Sequence, residues 1–228
     1  MKIVLLALLL LSVAWPSHAQ KQFNAGLKRE LDSLYTLDQR WRALLFDPRL
    51  TRQPDSVAAA LGVKKADLPN YLARQMIRTD SANIVRVRAI IKQYGYPGKF
   101  LVGEPTNEAA WYIIQHSDDI KSYLPLIKTA AKRGELPFRL YAQMLDRQLM
   151  RDDKEQLYGT QAMGYSPVNP ATGERESQPP FVWPIKDEAK VNERRKQAGF
   201  TTTVEENAAV LGIKYRVVTL PEVARMPK

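Results

Sequence analysis

Residues 23–46 read FNAGLKRELDSLYTLDQRWRALLF. Leu27, Leu31, Leu34, Trp41 and Leu45 recur at intervals of three, four and seven residues, so one helical face carries them all. Pro48 ends the helix. Asp38 sits on the same stripe, where an apolar residue is expected. A carboxylate on a buried face needs a partner or a purpose.

Downstream of this helix, residues 47–79 read as a less regular insert, with Asp55 or Ser56 capping a short helix that Gly62 stops. A second long helix is predicted from about Asp80 to Tyr94, with Ile84, Val87, Ile90 and Ile91 on one side. Gly95 and the turn Tyr96-Pro97-Gly98 close it. Lys99 to Gly103 reads as a short extended link. Thr106 or Asn107 then caps a helix through His116, on which Ala109, Tyr112, Ile113 and His116 share a face. Ser117 can cap the next helix, with Asp118 and Asp119 in its first turn, where the helix dipole favours acids. Pro125 predicts a break or kink near Leu124.

Pro137 opens a further helix to about Arg151. Phe138, Tyr141, Leu145 and Leu149 form its apolar stripe, with Asp146 and Arg147 beside it. Residues 163–184 are rich in Pro, Gly and polar groups and read as a long surface loop. Helices are predicted at 187–197 and 204–211, and the alternation in 215–220 predicts a strand without an obvious partner. The expected fold is mainly α: a single helical domain of antiparallel helical hairpins, with a long polar loop and C-terminal helices.

Upstream, the chain begins MKIVLLALLLLSVAWPSHAQ. Lys2 precedes an apolar run from Ile3 to Val13, and Ser17 and Ala19 place small residues where a signal peptidase reads them. Residues 1–19 are therefore expected to be a cleavable signal peptide, cut before Gln20, with a secreted or periplasmic domain over residues 20–228. The run falls short of the roughly 20 residues that a membrane-spanning helix needs. No integral membrane segment is expected after cleavage.

The chain has no Cys and only two His, 34 basic and 24 acidic residues, and a formal charge of +10. Without Cys, thiol catalysis and thiolate metal sites are excluded, and the core must hold by burial. Cleavage removes His18 and leaves His116 as the one imidazole. The basic balance favours anionic ligands or surfaces. Nucleic acid is not an expected partner, because no basic run carries interleaved aromatics.

Several spaced motifs occur together: Asp38-Gln39 with Arg42; Asn83 ahead of Gly95-Tyr96-Pro97-Gly98; Val102-Gly103; Trp111 with Gln115-His116-Ser117-Asp118; Asp146-Arg147; Gln156-Leu157-Tyr158-Gly159-Thr160-Gln161; and Arg194-Arg195 with Gly199. In order and spacing they resemble the bacterial domain-of-unknown-function family 6624, over about residues 27–200. Tyr96, where that family usually has Trp, Ser117, where it often has Ala, and the longer insert at 47–79 depart from the pattern. The resemblance implies a set of site residues and no activity.

On its own chemistry, His116 at a helix end suits general acid/base work. Asp38 and Asp146 are its candidate carboxylate partners, since each lies at or beside an apolar stripe. Gln39, Arg42, Gln115, Asp118, Arg147, Tyr158, Thr160, Gln161, Arg194 and Arg195 are the candidate ligand-binding residues. The same Asp, Arg and Gln residues can equally form a structural network that fixes helix packing. A Ser nucleophile is not supported, because Ser117 and His116 are neighbours on a helix and no Gly-x-Ser-x-Gly elbow exists. One His with several Asp can hold a hard ion. Zinc sites draw on several N or S ligands that this chain lacks. No Gly-rich phosphate loop or dinucleotide fingerprint is present, no cofactor is identified, and no metal is assigned. The two functional readings are an exported acid/base enzyme, hydrolase-like, and a non-catalytic binding module.

Overall fold

Asn24 opens the first helix, α1 (Ala25–Leu45): its side chain accepts a hydrogen bond from the Leu27 N–H at 2.9 Å. This satisfies one of the amides that a helix start leaves without a partner. A computed structural model describes residues 22–167 and 172–226. The signal-peptide expectation for residues 1–19 lies outside the described residues.

After α1 come α2 (Pro48–Arg52), α3 (Pro54–Ala60), α4 (Leu68–Tyr94) and α5 (Lys99–Val102). Then follow α6 (Ala109–Gln115), α7 (Ile120–Lys132) and α8 (Phe138–Arg151). The C-terminal part holds β1 (Ala162–Tyr165), β2 (Gln178–Val182), α9 (Val191–Gln197), α10 (Val204–Val210) and α11 (Leu220–Ala224). The fold is mainly helical, as expected. No helix among the described residues is long and apolar enough to cross a membrane.

Helices α1, α4, α6, α7 and α8 bury one core around Leu31, Val87, Ile90, Ile113, Ile114, Ile127, Leu140 and Met144. A second cluster joins Trp41 of α1 to Val57, Ala58, Leu68 and Leu72. That second cluster corrects the reading of residues 47–79. They fold into α2, α3 and the first turns of α4, which begins at Leu68 rather than near Asp80. Leu68 and Leu72, four residues apart, give these turns their own buried face. Pro69 falls in the first turn, where its missing N–H leaves no bond unmade.

Four smaller expectations are corrected too. Residues 99–102 form a helical turn rather than an extended link. Helix α7 runs through Pro125. The N–H that Pro125 lacks would have reached only the carbonyl of Lys121, an exposed first-turn residue open to water. The loop expected at 163–184 contains β1 and β2, an antiparallel pair with Ala162 opposite Val182 and Met163 opposite Phe181. The strand expected at 215–220 does not form: residues 213–219 carry no regular structure, and Leu220 opens α11. Val218 is buried beside Phe181 and Trp183 while Val217 is exposed, so the alternation there reflects burial without a ladder. On α8 the buried apolar residues are Leu140, Tyr141, Ala142 and Met144, and Asp146 is buried with them.

Candidate functional site

Among the described residues two carboxylates are fully buried: Asp38 on α1 and Asp146 on α8, each at 0 % exposure. Their surroundings differ, and so do the roles open to them.

Asp38 lies on α1 between Leu31, which packs into the main core, and Trp41, which packs into the second cluster. The polar seam between two apolar clusters therefore falls on this carboxylate. His116, the residue that ends α6, brings its Nδ1 to 3.1 Å from Asp38 Oδ1. Gln39 Nε2 donates to Asp38 Oδ2 at 2.6 Å. Arg42, one turn along α1, donates to the Asp38 carbonyl at 2.8 Å and to Oδ1 at 3.3 Å. Its other terminal nitrogen, Nη2, binds Asp80 of α4 at both oxygens, 3.0 and 2.8 Å. Arg42 thus stands between two carboxylates.

An ionised carboxylate only accepts hydrogen bonds, so Nδ1 of His116 must carry the proton it offers Asp38. That leaves Nε2 as the other ring nitrogen, with no hydrogen-bond partner among the described residues. The imidazole is partly exposed and lines a cleft of about 260 Å³ between α4 and the 116–119 turn. Asp80, Ser81, Arg88, Ser117, Asp118 and Asp119 line the same cleft. Ligand atoms of Asp38, Asp80 and His116 lie within 4.8 Å of one another, a spacing that suits a metal ion. The Arg42 guanidinium already pairs with both carboxylates, so the arrangement fits a built-in cation better than an added one.

Asp146 does not hydrogen-bond to His116. Its oxygens accept from the backbone N–H groups of Leu157, Tyr158 and Thr160 at 2.8 to 3.1 Å, and from the Thr160 hydroxyl at 3.0 Å. Burial pushes its carboxyl up to about 6, against these hydrogen bonds, which favour the anion. The loop it holds needs Gly159, whose φ is +66° and whose missing Cβ would fall 2.5 Å from Val204 Cγ2.

Arg194 and Arg195 grip the same loop from its carbonyl side. Arg194 Nε donates to the Leu157 carbonyl at 2.8 Å, and Arg195 Nη1 to the Tyr158 carbonyl at 2.8 Å. Arg195, only 1 % exposed, also binds the Thr202 carbonyl and hydroxyl and stacks over Phe200. The Tyr158 ring lies against Phe200 as well.

The two clusters are connected. Gln161 Nε2 donates to the Thr160 hydroxyl at 3.0 Å, and Gln161 Oε1 accepts from Arg147 Nε at 3.3 Å. Arg147 Nη1 in turn donates to the carbonyl of Gln115, the residue before His116, at 3.2 Å. The structure therefore brings Asp38, Gln39, Arg42 and His116 together. It gathers Asp146, Tyr158, Thr160, Arg194 and Arg195 in a second cluster. Arg147 and Gln161 span the gap, Gln115 contributes its carbonyl, and Asp118 stands at the rim of the His116 cleft.

Two residues of this constellation were not among the candidate site residues read from the sequence. Asp80 extends the α4 stripe of Ile84, Val87 and Ile91 back by one turn, the same signal that singled out Asp38. Placing the helix start at Asp80 hid it as a terminal residue. Gln156, fully buried, ties its amide to the Gln161 and Trp183 carbonyls at 2.9 and 2.7 Å.

The family model described as a family of unknown function (DUF6624) matches residues 60–218, more than half of the chain. Neither the curated proteins nor the solved structures include a match.

Proposed function

Since the chain belongs to this family of unknown function, membership brings no reaction with it, and we propose from the site itself that Asp38 and His116 form the acid/base pair of an enzyme. The observation that carries this reading is the Asp38–His116 hydrogen bond, with Nε2 left free on a ring that borders a cleft. Asp38 fixes the ring's orientation and tautomer and stabilises the imidazolium when it forms. Nε2 then takes a proton from a water or hydroxyl in the cleft and returns it to the leaving group, the proton cycle of a hydrolase. Arg42 holds Asp38 in place from one side and Asp80 from the other. In this reading Asp146 touches no reacting atom; it positions the loop that carries Gln161. The leader-like residues 1–19 support work outside the cytoplasm, in the envelope or medium.

Two measurements test the pair. In ¹⁵N-labelled protein at neutral pH, the neutral His116 ring should carry its proton on Nδ1; a neutral ring protonated on Nε2 refutes the dyad. Across a panel of ester, phosphoester and glycoside substrates, His116→Gln should abolish turnover and Asp38→Asn should cut it by about 10²–10⁴-fold. Arg86→Gln, which breaks only a surface pair with Glu30, should leave turnover unchanged. Hydrolysis that survives in His116→Gln overturns the proposal.

A further inference from the structure

The ion pairs around the dyad leave two guanidinium groups, Arg147 and Arg151, without an acid among the described residues. Arg42 has Asp38 and Asp80, and Arg88 has Asp119 at 2.6 Å. Arg147 has no carboxylate within ion-pairing distance among the described residues. It is partly buried, yet its acceptors among the described residues are neutral: the Gln161 amide oxygen through Nε and the Gln115 carbonyl through Nη1. Nη2 has no acceptor at all among the described residues. Arg151, one turn along α8, donates to the Ser117 carbonyl at 3.0 Å and likewise has no acidic partner. Burial and the nearby charges of Arg151 and Arg42 all work against the Arg147 cation.

A guanidinium held in such a place is costly unless a counter-charge arrives. Capping the end of α6 accounts for Nη1 but not for the rest. A neutral Gln could accept or donate there without the desolvation cost. Gln161 orients Nε and the Gln115 carbonyl orients Nη1, so the fork is fixed while one edge stays open.

We propose that Arg147 docks an oxyanion group of the substrate, a carboxylate or a phosphate, beside His116. The inference rests on the acid/base reading of the Asp38–His116 pair and adds the substrate's class to it. Fork geometry favours a group offering two oxygens in one plane. Arg151, held on the Ser117 carbonyl one turn along α8, adds charge nearby, and the net charge of +10 draws anions toward the protein. Arg147 holds the carbonyl of Gln115, the residue immediately before His116, so an oxyanion docked on it lies one residue from the imidazole along the chain.

Inorganic phosphate and acetate serve as probes, each titrated into the purified chain while the His116 ring resonances are followed. At least one of them should shift those resonances saturably. Arg147→Gln should weaken that binding by about tenfold or more, as expected for loss of a charge-assisted hydrogen bond. Arg147→Lys should retain part of it, and Arg86→Gln all of it. His116→Gln, followed by calorimetry, should still bind the anion, which separates failure of the dyad from failure of the docking site. A measurement on the unmodified protein guards against misfolded variants. Phosphate or acetate should protect Arg147 from phenylglyoxal, read by peptide mass spectrometry. If neither anion protects Arg147, or if Arg147→Gln binds as the parent does, the docking site is refuted even with the His116 tautomer intact.

Discussion

Asp146→Ala separates the two buried carboxylates most sharply. The substitution strands the N–H groups of Leu157, Tyr158 and Thr160 and the Thr160 hydroxyl. Each lost partner costs about 1–3 kcal/mol, so four of them at about 1.5 kcal/mol each amount to roughly 6 kcal/mol. Desolvation of the carboxylate opposes this. Its pKa is raised from 3.8 to about 6. At about 1.4 kcal/mol per unit, that shift costs the folded state roughly 3 kcal/mol once the group is ionised. The net loss on substitution at neutral pH is therefore roughly 3 kcal/mol.

The pH dependence has a definite sign. An acid whose folded pKa is raised binds its proton more tightly in the folded state. Its favourable contribution is complete below the unfolded value of 3.8 and falls away as pH rises through about 6. The stability gap between the parent and Asp146→Ala should then shrink from roughly 6 kcal/mol near pH 4 to roughly 3 kcal/mol near pH 7.5. Urea unfolding followed by tryptophan fluorescence at several pH values measures it. A gap below about 0.5 kcal/mol at pH 7.5, within the range of an ordinary surface substitution, refutes the anchoring role. A gap that does not change with pH refutes the titration argument.

Arg42→Ala leaves Asp38 and Asp80 without their shared cation and should lower stability by about 3–5 kcal/mol. The freed carboxylates, with His116 close by, should then bind a divalent ion, so added Mn²⁺ should raise the melting temperature of Arg42→Ala and leave the parent unaffected. Gly159→Ala should cost at least about 1–3 kcal/mol in thermal unfolding, because it forces a positive φ and pushes a methyl group into Val204. Arg195→Ala strips the Tyr158 and Thr202 carbonyls of their donor, and faster amide exchange should appear at residues 157–161.

Much of the fold is present in local patterns. The stripe of Leu27, Leu31 and Trp41 sets the buried face of α1, and Gly95 at φ +71° ends α4 where the turn signal places it. These features depend on residues a few positions apart, and helical periodicity is a property of neighbours. The same periodicity exposes Asp38 as the wrong residue on an apolar stripe. With His116 the one imidazole of residues 20–228, the sequence by itself limits the chemistry of that stretch to this ring, carboxylates, guanidinium groups and amides. The choice of partner is a different matter. Asp38 and Asp146 look alike in sequence, each a lone acid at a helix face, and only the packing of α1 against α4 and α6 puts Asp38 beside His116. The turn after α8 gives Asp146 three backbone amides instead. Hydrogen bonds between elements join groups 10 to 80 positions apart, so no local pattern carries them. The ledger of ion pairs that leaves Arg147 without an acid exists only once every acid has been placed in space.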